Sequence, residues 1–316
     1  MGCVEGDAWT HELAGGELSP RDALWVNILR ADVGLGRGDH RQMFAAASMA
    51  AQLAAHIPDD PEGACLAAYY AALGHLTDAS QSRGPLEAAL GLARQSGDPR
   101  LVTLIEVFLA VADLAAGHHD RVHVAVTRLE RLASEDGYDR FVANWSGWML
   151  ALAERDAVAA RRWMTRQHDF LDGTGIVENW LSSLSTAMCE VIEGKAAQAP
   201  LAHALVLADR EGYKADADCV LVLAFAEIVA GRFETAAELI GTAMHGRFNA
   251  TAHYVLYRAV LERVLRTQLD EETMSEAMDR GRGRTPADAL AEHGVTRTGD
   301  FGSAASAPEL RAEPAE

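Results

Sequence analysis

Basic residues are scarce in this chain of 316 residues. Lys and Arg together number 28 against 46 Asp and Glu, which gives a formal net charge of −18 at pH 7. Nonspecific binding to DNA or RNA depends on Lys and Arg that neutralise phosphates, so this balance argues against a direct nucleic-acid partner. The acidity itself has two interpretations: it keeps the chain in solution, or it forms an acidic groove for a basic partner.

Cysteine is also scarce, and its spacing fits no metal site. The four cysteines are scattered without a CxxC pair, which is typical of reduced thiols in the cytoplasm. No uncharged apolar run approaches the roughly 18 to 20 residues that cross a bilayer. The N-terminal segment MGCVEGDAW has no basic region followed by an apolar one, so no secretory signal is expected. The sequence predicts a cytoplasmic protein with no membrane partner.

Strand patterns are missing as well. Aromatic residues make up 6% of the chain, and Ala and Leu are abundant. No segment has the alternation of β-branched residues that is typical of strands. The predicted fold class is therefore all-α.

The segment from Asp98 to Gly137 shows what the chain is built from. Asp98 is suited to cap a helix, and Pro99 follows at the first helical position, where its missing N–H has no cost. Apolar residues then recur at three- and four-residue steps up to Gly117, which is suited to the positive φ of a helix C-terminus. A second amphipathic helix follows from about Asp120. Because the connection is short, the two helices form an antiparallel hairpin.

This hairpin repeats along the chain. Breaks between first and second helices recur at intervals of about 39 residues, near Gly38, Thr77, Gly117, Arg155, Gly194 and Gly231. Such a period predicts an α-solenoid of about six antiparallel helix hairpins. We expect a lead-in over residues 1–17, the hairpin repeats over 18–247, C-terminal capping helices over 248–295 and a disordered tail over 296–316.

The turns LGRGD, AGHHD and AGRFE, the period and the small residues at the inner helix contact resemble tetratricopeptide-type repeats. More narrowly, residues 22–294, including EETMSEAMDRGRGRTPADALAEHG near the C-terminus, resemble the C-terminal helical-repeat region of large bacterial ATPases and LuxR-type transcriptional regulators. The resemblance implies a sensor or scaffold part linked to bacterial transcription or signalling. The chain lacks the G-x-x-x-x-G-K-[ST] motif, and no helix-turn-helix follows Gly294, so neither ATP hydrolysis nor DNA binding is expected.

No catalytic, cofactor-binding or metal-binding residues are predicted. The chain has no G-x-S-x-G motif, and its carboxylates have no spacing suited to acid–base catalysis. His118, His119 and His123 form the one cluster of metal-binding type, with His119 and His123 on one helix face at i, i+4. An H-E-x-x-H glutamate is absent and the turn is expected to be exposed. We interpret the cluster as a polar turn, with a metal site as the alternative.

Aromatic residues of the middle repeats are the candidates for a binding surface. The position seven residues before each break is small in most repeats, but Tyr70 and Trp148 occupy it in two of them. Trp145 occupies a position that is apolar in every repeat, and Trp180 follows in the fifth hairpin. Aromatic side chains usually pack in a core. Alternatively, these four residues line a groove for a partner helix or a small apolar ligand.

The sequence therefore predicts a protein that is not an enzyme. The first hypothesis is a protein–protein interaction scaffold whose concave surface binds a protein or peptide segment, a basic one in the case of an acidic groove. The alternative is a small-molecule sensor with a Trp-lined pocket in the middle repeats. An enzyme on a helical scaffold and a remnant of a larger regulator stay open as further alternatives.

Overall fold

A computed structural model describes residues 18–37, 39–73, 79–132, 137–173, 180–244 and 252–297. Over these ranges the chain forms fifteen α-helices and no strand, which confirms the predicted all-α class. None of the described helices combines the length and apolar character needed to cross a membrane. The expected lead-in (1–17), most of the expected tail (298–316) and the predicted breaks at Gly38 and Thr77 lie outside the described residues.

The helices vary in length from 7 to 18 residues. In chain order they are α1 (Pro20–Arg37), α2 (His40–Ala54), α3 (Pro61–Leu73), α4 (Ala79–Ser96), α5 (Pro99–Ala116), α6 (His119–Leu132), α7 (Tyr138–Ala153), α8 (Ala157–Gly173), α9 (Trp180–Ile192), α10 (Gln198–Glu211), α11 (Asp216–Val229), α12 (Phe233–Ala243), α13 (Ala252–Arg266), α14 (Glu271–Arg282) and α15 (Pro286–Glu292).

Helices that are adjacent in the chain pack against each other from α1 to α12. Every second helix also contacts its next counterpart: α1 contacts α3, α3 contacts α5, and the series continues through α7 and α9 to α11. One hydrophobic core cluster extends along this series, from Leu24 in α1 to Val295 after α15. Each helix pair therefore buries its apolar face against its neighbours rather than alone.

The turns within the helix pairs share one hydrogen-bond pattern. In five of them a backbone amide donates to the carbonyl five residues earlier at 2.8–2.9 Å, from Asp39 to Gly34, His118 to Asp113, Asp156 to Ala151, Lys195 to Glu190 and Arg232 to Glu227. This is the bond that closes a helix followed by a left-handed residue. Gly117 has the predicted positive φ of 80°, and Arg155 takes the same role at φ 56° without being glycine. The predicted breaks in the described ranges are therefore turns of one type.

The C-terminal helices are less regular. The two short helices expected there are present as α14 and α15, which pack on α12 and α11 respectively. Helix α13 contacts α11, α12 and α14, but it also contacts α5, which the expected position at the end of the array did not anticipate. In the expected tail, Arg297 pairs with Asp209 at 2.9 Å and with Asp216 at 2.8 Å.

Candidate ligand cavity and the seat of helix α13

A cavity of about 230 Å³ lies among the middle helices. Helices α5, α7, α8 and α9 form most of its wall, and α3 contributes one residue. Its lining residues are Tyr69, Leu104, Val107, Phe108, Phe141, Asn144, Trp145, Trp148, Met164, Gln167, His168, Leu171, Leu181, Ser182, Leu184 and Ser185. None of them is Asp, Glu, Lys or Arg. The cavity is therefore an apolar and aromatic site with a few polar groups, which is typical of small-molecule sites.

Two of the four aromatic residues singled out in the sequence line this cavity. Trp145 and Trp148 project from α7, three residues apart, so they lie on one face of the helix. Phe108 packs against Trp145 with ring centroids 6.2 Å apart, and Tyr69 packs edge-on against Phe108 at 5.0 Å. The thiol of Cys189 is buried close to Trp148, and this burial raises the pKa of the thiol to about 11. One wall is thus a series of aromatic rings.

The other two aromatic candidates lie elsewhere. Tyr70 is buried and donates its hydroxyl hydrogen bond to Asp32 Oδ1 at 2.7 Å, which links α3 to α1. Trp180 is buried at the start of α9 and packs against Tyr213, with ring centroids 5.7 Å apart. Tyr69, one residue earlier than Tyr70 and about 100° around the helix, lines the cavity instead. Tyr70 and Trp180 connect helices, while Trp145 and Trp148 face the cavity.

Four side chains in the cavity wall have a buried polar atom without a hydrogen-bond partner among the described residues: Asn144 Oδ1, Trp148 Nε1, Gln167 Oε1 and His168 Nε2. Asn144 is the most enclosed, with 1% of its surface exposed. Its Nδ2 donates to the carbonyl of Arg166 at 3.2 Å. The sequence analysis missed Asn144, Gln167 and His168. For Asn144 the available signal was an amide between the apolar residues Ala143 and Trp145 of α7, whereas Gln167 and His168 lie in a polar stretch that gives no such signal.

Helix α13 packs next to this cavity on α5 and α11, close to residues of α7 and α9. We call this packing surface the α13 seat. Tyr257 of α13 is buried and packs edge-on against Phe225 of α11, with ring centroids 6.0 Å apart. Trp148 and Leu184, which line the large cavity, also border a smaller one of about 20 Å³ beside Tyr257. Farther along α13, Val260 belongs to a separate buried cluster with residues of α5, α6 and α7. The helix therefore spans several pairs, from α5 to α11.

Helix α13 differs in charge from the rest of the chain. It carries three arginines and one glutamate, although the whole chain has a net charge of −18. The guanidinium of Arg263 lies against the turn at Gly117, so closely that a Cβ added to this glycine would be 1.6 Å from it. This turn is the C-terminal end of α5, where the helix dipole favours a cation. Electrostatic attraction therefore contributes to holding α13 in its seat.

The histidine cluster lies between α6 and α7. His119 and His123 both approach Glu154, with N–O distances of 3.8 and 2.9 Å, so they do share one face of α6. Within the described ranges no group of three or more His, Cys, Asp or Glu is arranged to hold a metal ion. The contact joins the end of α7 to the start of α6.

No protein-family model matches the chain, and no curated protein matches it in sequence. The resemblance to the helical-repeat region of bacterial regulators therefore stays a prediction that depends on the residues quoted for it. The function has to be inferred from the cavity and the α13 seat.

Proposed function

We propose that α1 to α12 form a tetratricopeptide-like α-solenoid of six hairpins, closed at its end by α14 and α15. The repeated turn hydrogen bond and the contacts between successive first helices support this architecture. In such an array the first helices share one surface, which is the concave one. The α13 seat and the cavity then belong to the concave surface of the middle repeats.

We infer that the protein is a non-catalytic regulatory module that binds a small, uncharged, largely apolar molecule in the cavity. The observation that carries this proposal is the partly open cavity of about 230 Å³ with aromatic walls and no Asp, Glu, Lys or Arg in its lining. Removal of apolar surface from water contributes roughly 25 cal/mol per Å², so an apolar molecule that covers these walls is bound favourably. The resemblance supports a role in bacterial transcription or signalling, and the scattered cysteines support a cytoplasmic location.

A variant that fills the cavity tests the proposal. Ser185 lines the cavity and is half-buried, so Ser185→Phe fills part of the space. Ser275→Phe is the matched control, because the same change falls on an exposed position of α14. All three proteins are purified gently from the native cell, and the co-purifying small molecules are identified by mass spectrometry. We expect one uncharged apolar compound in the wild type and the control but not in Ser185→Phe. An identical set of compounds in all three would refute the proposal.

A scaffold that binds a protein segment is the second candidate, because the seat already holds a helix. Tyr257, Val260 and Arg263 anchor α13 by aromatic, apolar and electrostatic contacts, which is how amphipathic helices bind in grooves. A partner helix with the same pattern, an aromatic residue followed by apolar and basic ones, would fit the same surface. The basic character of α13 also agrees with the basic partner that the net charge suggests.

A labelled peptide tests the scaffold proposal. The peptide AHYVLYRAVLERVLR copies α13, and its binding is followed by fluorescence anisotropy. In the Tyr257→Ala variant the resident helix loses its buried ring, so we expect the peptide to bind this variant more tightly than the wild type. The same peptide with Ala in place of its second tyrosine is the control and should bind neither protein. Equal binding of both peptides to both proteins would exclude a specific seat.

A further inference from the structure

The cavity also indicates which chemical class of ligand it binds. We propose that the ligand is an uncharged, planar, bicyclic heteroaromatic molecule whose N–H group donates a hydrogen bond to Asn144 Oδ1. The inference depends on the proposed small-molecule function and extends it from an apolar ligand in general to one with a donor at a defined position.

The size and the walls of the cavity define the body of the ligand. A cavity of about 150 Å³ holds benzene, so the volume of about 230 Å³ accommodates two fused rings. The rings of Tyr69, Phe108 and Trp145 form a continuous series along one wall, with centroid distances of 5.0 and 6.2 Å. Such walls favour a planar aromatic ligand, because its ring can pack edge-on or offset against theirs.

The absence of charged lining residues defines the charge of the ligand. No Asp, Glu, Lys or Arg lies among the lining residues, so an ammonium group would lose its hydration without gaining a counter-ion, and a carboxylate or phosphate would face only the single imidazole of His168. Burial of an unpaired ion is strongly unfavourable. The cation–π contacts of Arg166 with Trp163 and of Arg140 with Phe170 involve rings that are not in the cavity wall.

Asn144 defines the polar group of the ligand. Its amide orientation follows from the hydrogen bond of Nδ2 to the Arg166 carbonyl at 3.2 Å, since an oxygen in that place would face another acceptor. Oδ1 is then the acceptor that remains, at a residue with 1% of its surface exposed. A ligand without a donor would leave this oxygen unpaired and would displace any water that served it, whereas an N–H group satisfies it.

Three small probes of nearly the same shape test the inference: indole, which has the N–H donor, and 1-methylindole and naphthalene, which lack it. Their dissociation constants are measured by ligand-observed NMR titration on the full chain. We expect indole to bind the wild type about ten- to a hundred-fold more tightly than either analogue. In the variant Asn144→Leu the three constants should become equal within about two-fold.

The outcomes separate the two proposals. Equal binding of the three probes to the wild type overturns the donor inference and leaves the small-molecule function in place, as long as Ser185→Phe weakens all three. If indole keeps its advantage in Asn144→Leu, Asn144 is not the acceptor and the inference fails. If none of the probes binds, both proposals fail. The comparison of probes on the wild type does not depend on the folding of any variant.

Discussion

The packing of α14 on α12 gives a sharp prediction about stability. Gly281 of α14 and Gly241 of α12 lie where the two helices cross. A Cβ added to Gly281 would lie 1.8 Å from the backbone oxygen of Glu238, and one added to Gly241 would lie 2.0 Å from the backbone oxygen of Met278. Because these neighbours are backbone atoms, no side-chain rotation can relieve the contact. We therefore expect Gly281→Ala to force the helices apart.

The loss of stability expected for Gly281→Ala follows from the distance by which the helices must separate. Cβ atoms do not approach other atoms closer than 3.0 Å, so α14 must move by roughly 1 Å, which forfeits a quarter to a half of the dispersion attraction across the contact. Overpacking of this kind costs about 1–3 kcal/mol, and the better helix propensity of Ala recovers at most about 1 kcal/mol. A net loss of about 2 kcal/mol corresponds to a roughly 30-fold increase in the opening of α14.

Native-state hydrogen exchange is the appropriate assay, because it reports the local opening of α14 separately from the rest of a long helical array. Gly91→Ala is the matched control: this glycine is exposed within α4, and an added Cβ meets nothing within 4 Å. The control should gain about 0.5–1 kcal/mol in unfolding free energy. If Gly281→Ala leaves exchange in α14 as slow as in the control, the close crossing of α12 and α14 is wrong.

Two further predictions concern buried ionisable groups. Burial raises the pKa of Asp60, but hydrogen bonds from the Gly63 amide, Arg21 and Trp25 lower it more, so its net pKa is below its ordinary value. The ionised Asp60 therefore stabilises the fold above the unfolded pKa of about 3.9, and this stabilisation is lost as the pH falls through the folded pKa. In urea titrations at pH 7 we expect Asp60→Asn to be about 2 kcal/mol less stable than the wild type. This difference in unfolding free energy should close towards pH 2, and a difference that does not depend on pH would contradict the argument. Burial also raises the pKa of the thiols of Cys65, Cys189 and Cys219. We expect iodoacetamide at pH 8 to label these three cysteines only in denaturant. Labelling of any of the three in the native protein, detected by mass spectrometry, would contradict its burial.

The helices were predictable because their signals are local. Caps, apolar periodicity and glycines act within a few residues, so the hairpin after Asp98 and the positive φ of Gly117 follow from the sequence alone. Arg155 shows that the period was informative even without glycine: the break was expected there by spacing, and the residue takes the left-handed conformation. The packing around α7 and α8 evidently outweighs the cost of a side chain at this φ.

The site was predictable only in part, because it depends on which helix face turns inward. Apolar periodicity marks a buried face, but it does not separate the part that packs on a neighbouring helix from the part that borders a cavity. Tyr69 and Tyr70 are both buried, and only the crossing angles of neighbouring helices decide that the first reaches the cavity. Trp148 stood out in the sequence because a large ring replaces the small residue found at this position in most of the predicted hairpins, and in the structure it lines the cavity.

The position of α13 could not be predicted from its local sequence pattern. This position connects the proposed ligand cavity with the proposed binding of a partner helix. The helix is far from α5 in sequence, so nothing in its own pattern identifies its seat. Once seated, it shares Trp148 and Leu184 with the cavity: these side chains separate a bound molecule from Tyr257. A ligand that fixes the two side chains in their present rotamers stabilises the seat of α13, and by linkage a seated α13 must strengthen ligand binding by the same factor. A partner helix that displaces α13 would then change the affinity of the cavity, so the sensor and the scaffold can be two states of one regulatory surface.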